Sequence, residues 1–120
     1  MRLYYLPGTS SLFPHIVLIE AGLSFDAVKV DEHAKTMDGG GDYRSVNPLG
    51  DVPALQLEDG TVLTEAAAIA QYVCDRVPAK KLAPPIGTLD RAKLQSWLNF
   101  IASECPFTPP ATRGRPHELI

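Results

Sequence analysis

The hydrophobic pattern of this chain changes period several times. Leu3 to Leu6 is a short apolar run stopped by Pro7-Gly8, which predicts a strand and a turn. Thr9, Ser10 and Ser11 then precede Leu12-Phe13-Pro14-His15-Ile16-Val17-Leu18-Ile19-Glu20-Ala21. Hydroxyl residues before a helical apolar run are an N-cap signal, so a helix is predicted from Ser11 or Leu12. Pro14 is tolerated only in a first turn, which fits that start, and Gly22 supplies the C-cap. Phe25 to Val30 alternates and predicts a second strand. Strand, helix and strand in about thirty residues make a βαβ unit with a right-handed crossover.

Periodicity is then lost. His33 to Asp42 contains Gly39-Gly40-Gly41 and predicts a loop, followed by a short helix from Asp42 to Val46. Asn47-Pro48 and Gly50 signal a turn, and Val52 is pushed out of the α region by the proline after it. Ala54, Leu55 and Leu57 predict a buried strand, which Glu58-Asp59-Gly60 joins as a hairpin to Thr61-Val62-Leu63. Pro53 has no N–H for a ladder, so it must open that strand or lie at its edge. A cis Val52-Pro53 bond is expected, with the Val52 N–H and C=O turned outward as a pair. Such a pair accepts an extended peptide as if it were another strand. Thr64 is expected to start a helix carrying Glu65 in its first turn, where free N–H groups suit an anion. Ala66, Ile69, Ala70, Tyr72, Val73 and Val77 form its apolar stripe, and Val77-Pro78 ends it. Residues 79–87 have a linker's composition. Leu89 to Ser103 predicts one more helix, with Leu94, Trp97, Leu98, Ile101 and Ala102 on one face.

Composition narrows the function classes. The 120 residues allow one domain with a modest core. A net charge of −3 argues against nucleic acid and against an anionic membrane surface. No apolar run approaches the roughly twenty residues of a membrane helix. Met1 to Pro7 is too short for a signal peptide, so the expected location is the cytoplasm. Cys74 and Cys105 form no Cys-x-x-Cys pair, and His15, His33 and His117 have no metal-ligand spacing, so neither a disulfide framework nor a metal site is expected. Cys74, among Ile69, Tyr72 and Val73, reads as a buried thiol.

Tyr4-Tyr5-Leu6-Pro7-Gly8, Ser10-Ser11-Leu12, Asn47-Pro48-Leu49-Gly50-Asp51-Val52-Pro53-Ala54-Leu55, Asp59-Gly60, Leu63-Thr64-Glu65 and Trp97-Leu98-Asn99 together resemble the N-terminal domain of cytosolic glutathione S-transferases, most of all the bacterial beta class. The resemblance implies an α/β, thioredoxin-like domain of order β-α-β-α-β-β-α over residues 1–78, a linker at 79–87, and at 88–104 the first helix of an all-helical domain. It implies glutathione as substrate, a small electrophile as its reaction partner, and a homodimer. By the same likeness the Val52 backbone, opened by Pro53, pairs with the cysteinyl amide of glutathione. The Glu65 carboxylate receives the γ-glutamyl ammonium, and the Glu65 and Ala66 amides receive the γ-glutamyl carboxylate. Lys35 reaches the glycine carboxylate, Asn99 approaches from the last helix, and Ser10 or Ser11 faces the thiol as the catalytic hydroxyl.

Two departures matter for activity. The beta class usually has a cysteine where Ser10 stands, so mixed-disulfide chemistry is lost, while a hydroxyl at a helix start still favours thiolate over thiol. The likeness is expected to stop near Glu104: Cys105-Pro106 stands where relatives continue toward a histidine, and residues 105–120 hold four prolines, too many for a helix. The expectation is an irregular tail on a truncated chain, created by a reading-frame change in its gene. Two functions stay open: a glutathione transferase attacking small electrophiles, or a non-catalytic glutathione- or protein-binding module, including an inactive remnant.

Overall fold

A computed structural model describes residues 1–104. Strand β1 (Arg2–Tyr5) leads through a turn into helix α1 (Leu12–Ala21) and strand β2 (Asp26–Lys29). A single 3-10 turn, Tyr43–Ser45, precedes strands β3 (Ala54–Gln56) and β4 (Val62–Thr64). Helix α2 (Ala66–Arg76), a second 3-10 turn (Pro78–Lys80) and helix α3 (Leu89–Glu104) follow. The sheet order is β2-β1-β3-β4, with β1 parallel to β2 and antiparallel to β3. The expected thioredoxin-like α/β order is present, with its second helix reduced to that one turn. Asp42 caps the turn by accepting the Arg44 N–H at 2.9 Å. Asn47, next to Pro48, is biased away from helical backbone, which stops the turn from growing.

Strand alternation sorts the core into two layers. Leu3 and Leu55 are register partners and point to the face covered by α1 and α2, where Leu18, Ala21, Ile69 and Val73 complete a buried cluster. Tyr4 and Ala54, also partners, point to the other face and join Val30 and Tyr43. Burying a large aliphatic side chain contributes about 1.5–3 kcal/mol, so the first cluster is the larger source of stability. In α1 the buried residues are Pro14, Leu18 and Ala21, one narrow stripe, and Gly22 ends the helix at φ 69° as its sequence position predicts.

Three expectations are corrected. Thr64 does not begin the helix: it pairs with Ala54 as the last residue of β4. Glu65 is therefore not a first-turn acid but the N-cap of α2, at φ 70° and ψ 118°. The chain must reverse from a paired strand into a helix within one residue, and that reversal falls on Glu65. The apolar face expected on α3 is also divided. Leu94 and Leu98 are half-buried, whereas Trp97 and Ile101 are 66% and 53% exposed. A helix docked mainly on α2 covers only a narrow seam, and the residue that seam buries is Arg91.

Arg91 was not singled out by the pattern. It donates to Asp75 Oδ2 at 2.6 Å, to the Pro84 carbonyl at 2.7 Å and to Gln71 Oε1 at 3.4 Å. Gln95 Nε2 donates to the same Gln71 oxygen at 3.0 Å. The pairs 91 with 75 and 95 with 71 show that α3 runs antiparallel to α2. No helix among the described residues is long and apolar enough to cross a membrane. The expected irregular tail, 105–120, lies outside the described residues, as do Cys105 and His117.

Candidate functional site

The register brings the site segments to one end of the sheet. Tyr4 pairs with Ala54, and Ala54 with Thr64. The exit of β1, the start of β3 and the exit of β4 therefore lie side by side. Leu6 to Ser11, Val52-Pro53 and Glu65-Ala66 all leave the sheet there. Because β2 is parallel to β1, the segment from Asp31 to Lys35 leaves from the same end. Helices α1 and α2 both begin there, so two positive helix ends converge on one region.

The Val52-Pro53 bond is cis, as expected, and Pro53 opens β3 rather than interrupting it. Among the described residues neither the Val52 N–H nor its C=O takes a hydrogen bond. The residues before it are firmly held. Tyr43 Oη donates to the Asp51 carbonyl at 2.7 Å, and Asn47 Nδ2 donates to the same oxygen at 2.8 Å. Asn47 Oδ1 accepts the Leu49 N–H at 3.2 Å, and its carbonyl accepts the Gly50 N–H at 2.8 Å. Gly50 completes this turn at φ 72°, a conformation that suits glycine. Burial pushes the Tyr43 hydroxyl up to about 12, so it stays a donor at any ordinary pH.

Glu65 is exposed and makes no capping hydrogen bond with its side chain. Its carbonyl accepts the Ile69 N–H at 3.0 Å, while the Glu65 and Ala66 N–H groups are not used by the described backbone. A non-glycine residue at such a positive φ costs about 1–3 kcal/mol, and such strain clusters at functional sites. Lys35, at φ 54°, is half-buried and sends Nζ to the Gly50 carbonyl at 3.1 Å. That bond links the loop after β2 to the turn before Val52, and it occupies one of the three ammonium donors.

The two serines have different surroundings. Ser11 is 1% exposed, and its Oγ accepts the Leu6 N–H at 3.0 Å. Thr9 Oγ1 and Ser11 Oγ lie 2.7 Å apart, and both reach the Leu6 carbonyl, at 2.7 and 3.0 Å. Ser11 sits at the N-cap position of α1 but makes no side-chain cap; its hydroxyl is committed to the turn. Ser10 is exposed, with no side-chain hydrogen bond among the described residues.

Other candidates fall outside this set. Tyr4 is buried and donates to Gln56 Oε1 at 3.2 Å; Tyr5 packs against His15, which also meets Phe25 edge-on. Cys74 is half-buried rather than buried, and burial pushes its thiol up. It lines an apolar cleft of about 230 Å³ with Phe13, Val17, Leu94 and Leu98, between α1, α2 and α3. Asn99 is exposed on α3. Continuing the pairing of 91 with 75 and 95 with 71 sets it level with Ala67, one residue into the α2 start. Among the described residues no cluster of His, Cys, Asp and Glu could hold a metal ion.

Tyr43 and Asn47 are the residues at this end that the pattern does not single out. Asn47 carries a turn signal, and nothing about a tyrosine in the short predicted helix 42–46 announces a buried donor.

Comparison with known proteins agrees with this fold. The chain is 48% identical to glutathione S-transferase GstA of Escherichia coli, over 98% of this chain and 60% of that protein. A bacterial beta class glutathione S-transferase from Sphingomonas chungbukensis superposes with a TM-score of 0.85 at 50% identity, over 87% of this chain and 52% of that one. A sphingomonad glutathione S-transferase solved in complex with glutathione gives a TM-score of 0.87 at 47% identity, over 96% of this chain and 60% of that one. The chain thus spans about 50–60% of the length of these relatives. The alignment to GstA runs over 98% of this chain and so extends past Glu104, whereas the Sphingomonas chungbukensis superposition covers 87% of it. The glutathione S-transferase N-terminal domain profile matches residues 11–76, and the chain belongs to that family.

Proposed function

We propose that this chain binds glutathione at the sheet end formed by Leu6 to Ser11, Val52-Pro53 and Glu65-Ala66, and that it serves transfer of the glutathione thiolate to a small electrophile. The observation that carries this reading is the Val52 N–H and C=O, unpaired among the described residues, beside the N-terminus of α2. An extended γ-glutamyl-cysteinyl-glycine chain has the matching groups in the matching order. Its cysteinyl N–H and C=O suit Val52. Its γ-glutamyl carboxylate suits the Glu65 and Ala66 amides, and its ammonium suits the Glu65 carboxylate. Its glycine carboxylate suits the donors of Lys35 Nζ left over from Gly50.

Ser10 is assigned the thiol-facing role, since its hydroxyl is exposed and unpaired among the described residues, whereas that of Ser11 is committed to Leu6 and Thr9. Its O–H and the positive start of α1 stabilise the thiolate after the thiol proton has passed to solvent. The sulfur then attacks the electrophilic carbon: a C–S bond forms, and with an aromatic halide the carbon–halogen bond breaks and halide leaves with its electron pair. Asn99, level with the α2 start, borders this region from α3.

Titration calorimetry with glutathione, followed by a conjugation assay on an aromatic halide, tests the reading. Saturable binding that Glu65→Gln weakens, together with turnover, is expected. A wild-type chain that takes up no glutathione overturns the site. Binding without turnover overturns the transfer step and leaves a binding module.

A further inference from the structure

The Asp51 carbonyl receives two buried donors, Tyr43 Oη at 2.7 Å and Asn47 Nδ2 at 2.8 Å. Tyr43 is 0% exposed and Asn47 4%. The carbonyl oxygen has two lone pairs, and both are taken by buried side chains. The Asp51 C=O and the Val52 N–H belong to the same planar group and point in opposite directions. Two donors on the oxygen, arriving from different parts of the loop, fix the direction of the N–H on the far side. Neighbouring bonds prevent the plane from rotating by another route. Lys35 Nζ holds the preceding Gly50 carbonyl at 3.1 Å, and Asn47 also anchors Leu49 and Gly50.

We propose that Tyr43 and Asn47 are positioning residues for glutathione: they hold the Asp51–Val52 peptide plane so that the Val52 N–H is aimed at the cysteinyl carbonyl before the ligand arrives. Preorganisation of this kind removes an ordering cost at binding. The proposal rests on the glutathione site described above and adds residues that touch no ligand. Burial keeps Tyr43 protonated up to about 12, so the device is insensitive to pH over the range in which a thiolate forms.

The test uses Tyr43→Phe, which keeps the ring and its volume, and Asn47→Asp, which keeps the Oδ1 acceptor for Leu49 but loses the donor to Asp51. Two ligands are titrated by NMR on the Ala66 amide: glutathione, and γ-glutamylmethylamide, which lacks the cysteinyl carbonyl. Each variant is expected to raise the Kd of glutathione by about 3–20-fold, as one weakened hydrogen bond predicts, with γ-glutamylmethylamide changed by less than about twofold. In the free protein, 15N relaxation is expected to show new motion at Val52 and none at Leu55. Equal weakening of both ligands would mean a merely structural role and overturns the proposal, as does unchanged glutathione affinity. If the wild-type chain binds no glutathione, the site reading fails instead. The relaxation arm then decides the clamp alone, and a Val52 amide as rigid in Tyr43→Phe as in wild type overturns it.

Discussion

Replacing Glu65 by glycine should move stability and binding in opposite directions. Glu65 stands at φ 70° and ψ 118°, where a Cβ is unfavourable, and its side chain makes no capping bond. Holding a non-glycine residue there costs about 1–3 kcal/mol. Glycine removes most of that cost but gives the unfolded chain more freedom, about 0.4–1 kcal/mol in the other direction. The net expectation is a stabilisation of about 0–2.5 kcal/mol, and in a domain of this size each 1 kcal/mol shifts Tm by about 4–8 °C. The same change deletes the carboxylate proposed to receive the γ-glutamyl ammonium. Hydrogen bonds to charged groups contribute about 1.5–3 kcal/mol, so glutathione affinity should fall by about 10–150-fold. Glu65→Ala is the control: it loses the same binding, about 1.5–3 kcal/mol, but keeps the Cβ, so it gains no stability. Urea unfolding and titration calorimetry on the three proteins read both quantities. A glycine variant less stable than the alanine variant would refute the strain argument. A glycine variant that binds as tightly as wild type would refute the assignment of the carboxylate.

Adjacent serines should respond differently: Ser11→Ala leaves the half-buried Leu6 N–H without its partner and should cost about 1–2 kcal/mol in urea unfolding. Ser10→Ala should stay within about 0.5 kcal/mol, while the pKa of bound glutathione thiol, followed by thiolate absorbance, rises. Arg91→Met should cost about 2–3 kcal/mol, less than a fully buried pair because the Asp75 side chain is 31% exposed and can be rehydrated; a loss below about 0.5 kcal/mol would show that the Arg91 bonds do not hold α3. Tyr43 links stability to alkaline pH, since its folded pKa of about 12 lies above the ordinary value of 10.0, so the folded state binds more protons between them. Its contribution is present below pH 10 and is lost as pH rises toward 12, by about 2–3 kcal/mol in total, and Tyr43→Phe should flatten that part of the unfolding profile.

Sequence alone determined the elements whose signal is local. Pro7-Gly8, Gly22 and Pro53 constrain their own backbone, so the ends of β1 and α1 and the start of β3 were legible without a partner. Period-2 and helical spacing likewise exposed the core residues Leu3, Leu18, Leu55, Ile69 and Val73, because burial on one face imposes that spacing wherever the element packs. The tertiary structure alone decided what depends on a distant partner. Thr64 became strand because Ala54 lies across from it, which pushed the chain reversal onto Glu65. Ser10 and Ser11 look alike as hydroxyls and differ only because Leu6 and Thr9 close around Ser11. Leu94 and Trp97 have equal apolar character, but α3 meets α2 along one seam, and that seam buries the charge of Arg91 instead of the indole. Tyr43, in the single 3-10 turn, became a donor to Asp51 only through the path the chain takes from that turn back to the sheet. Backbone chemistry acts within a few residues and is written in the chain, whereas the partner of a polar side chain is set by which segments the fold brings together.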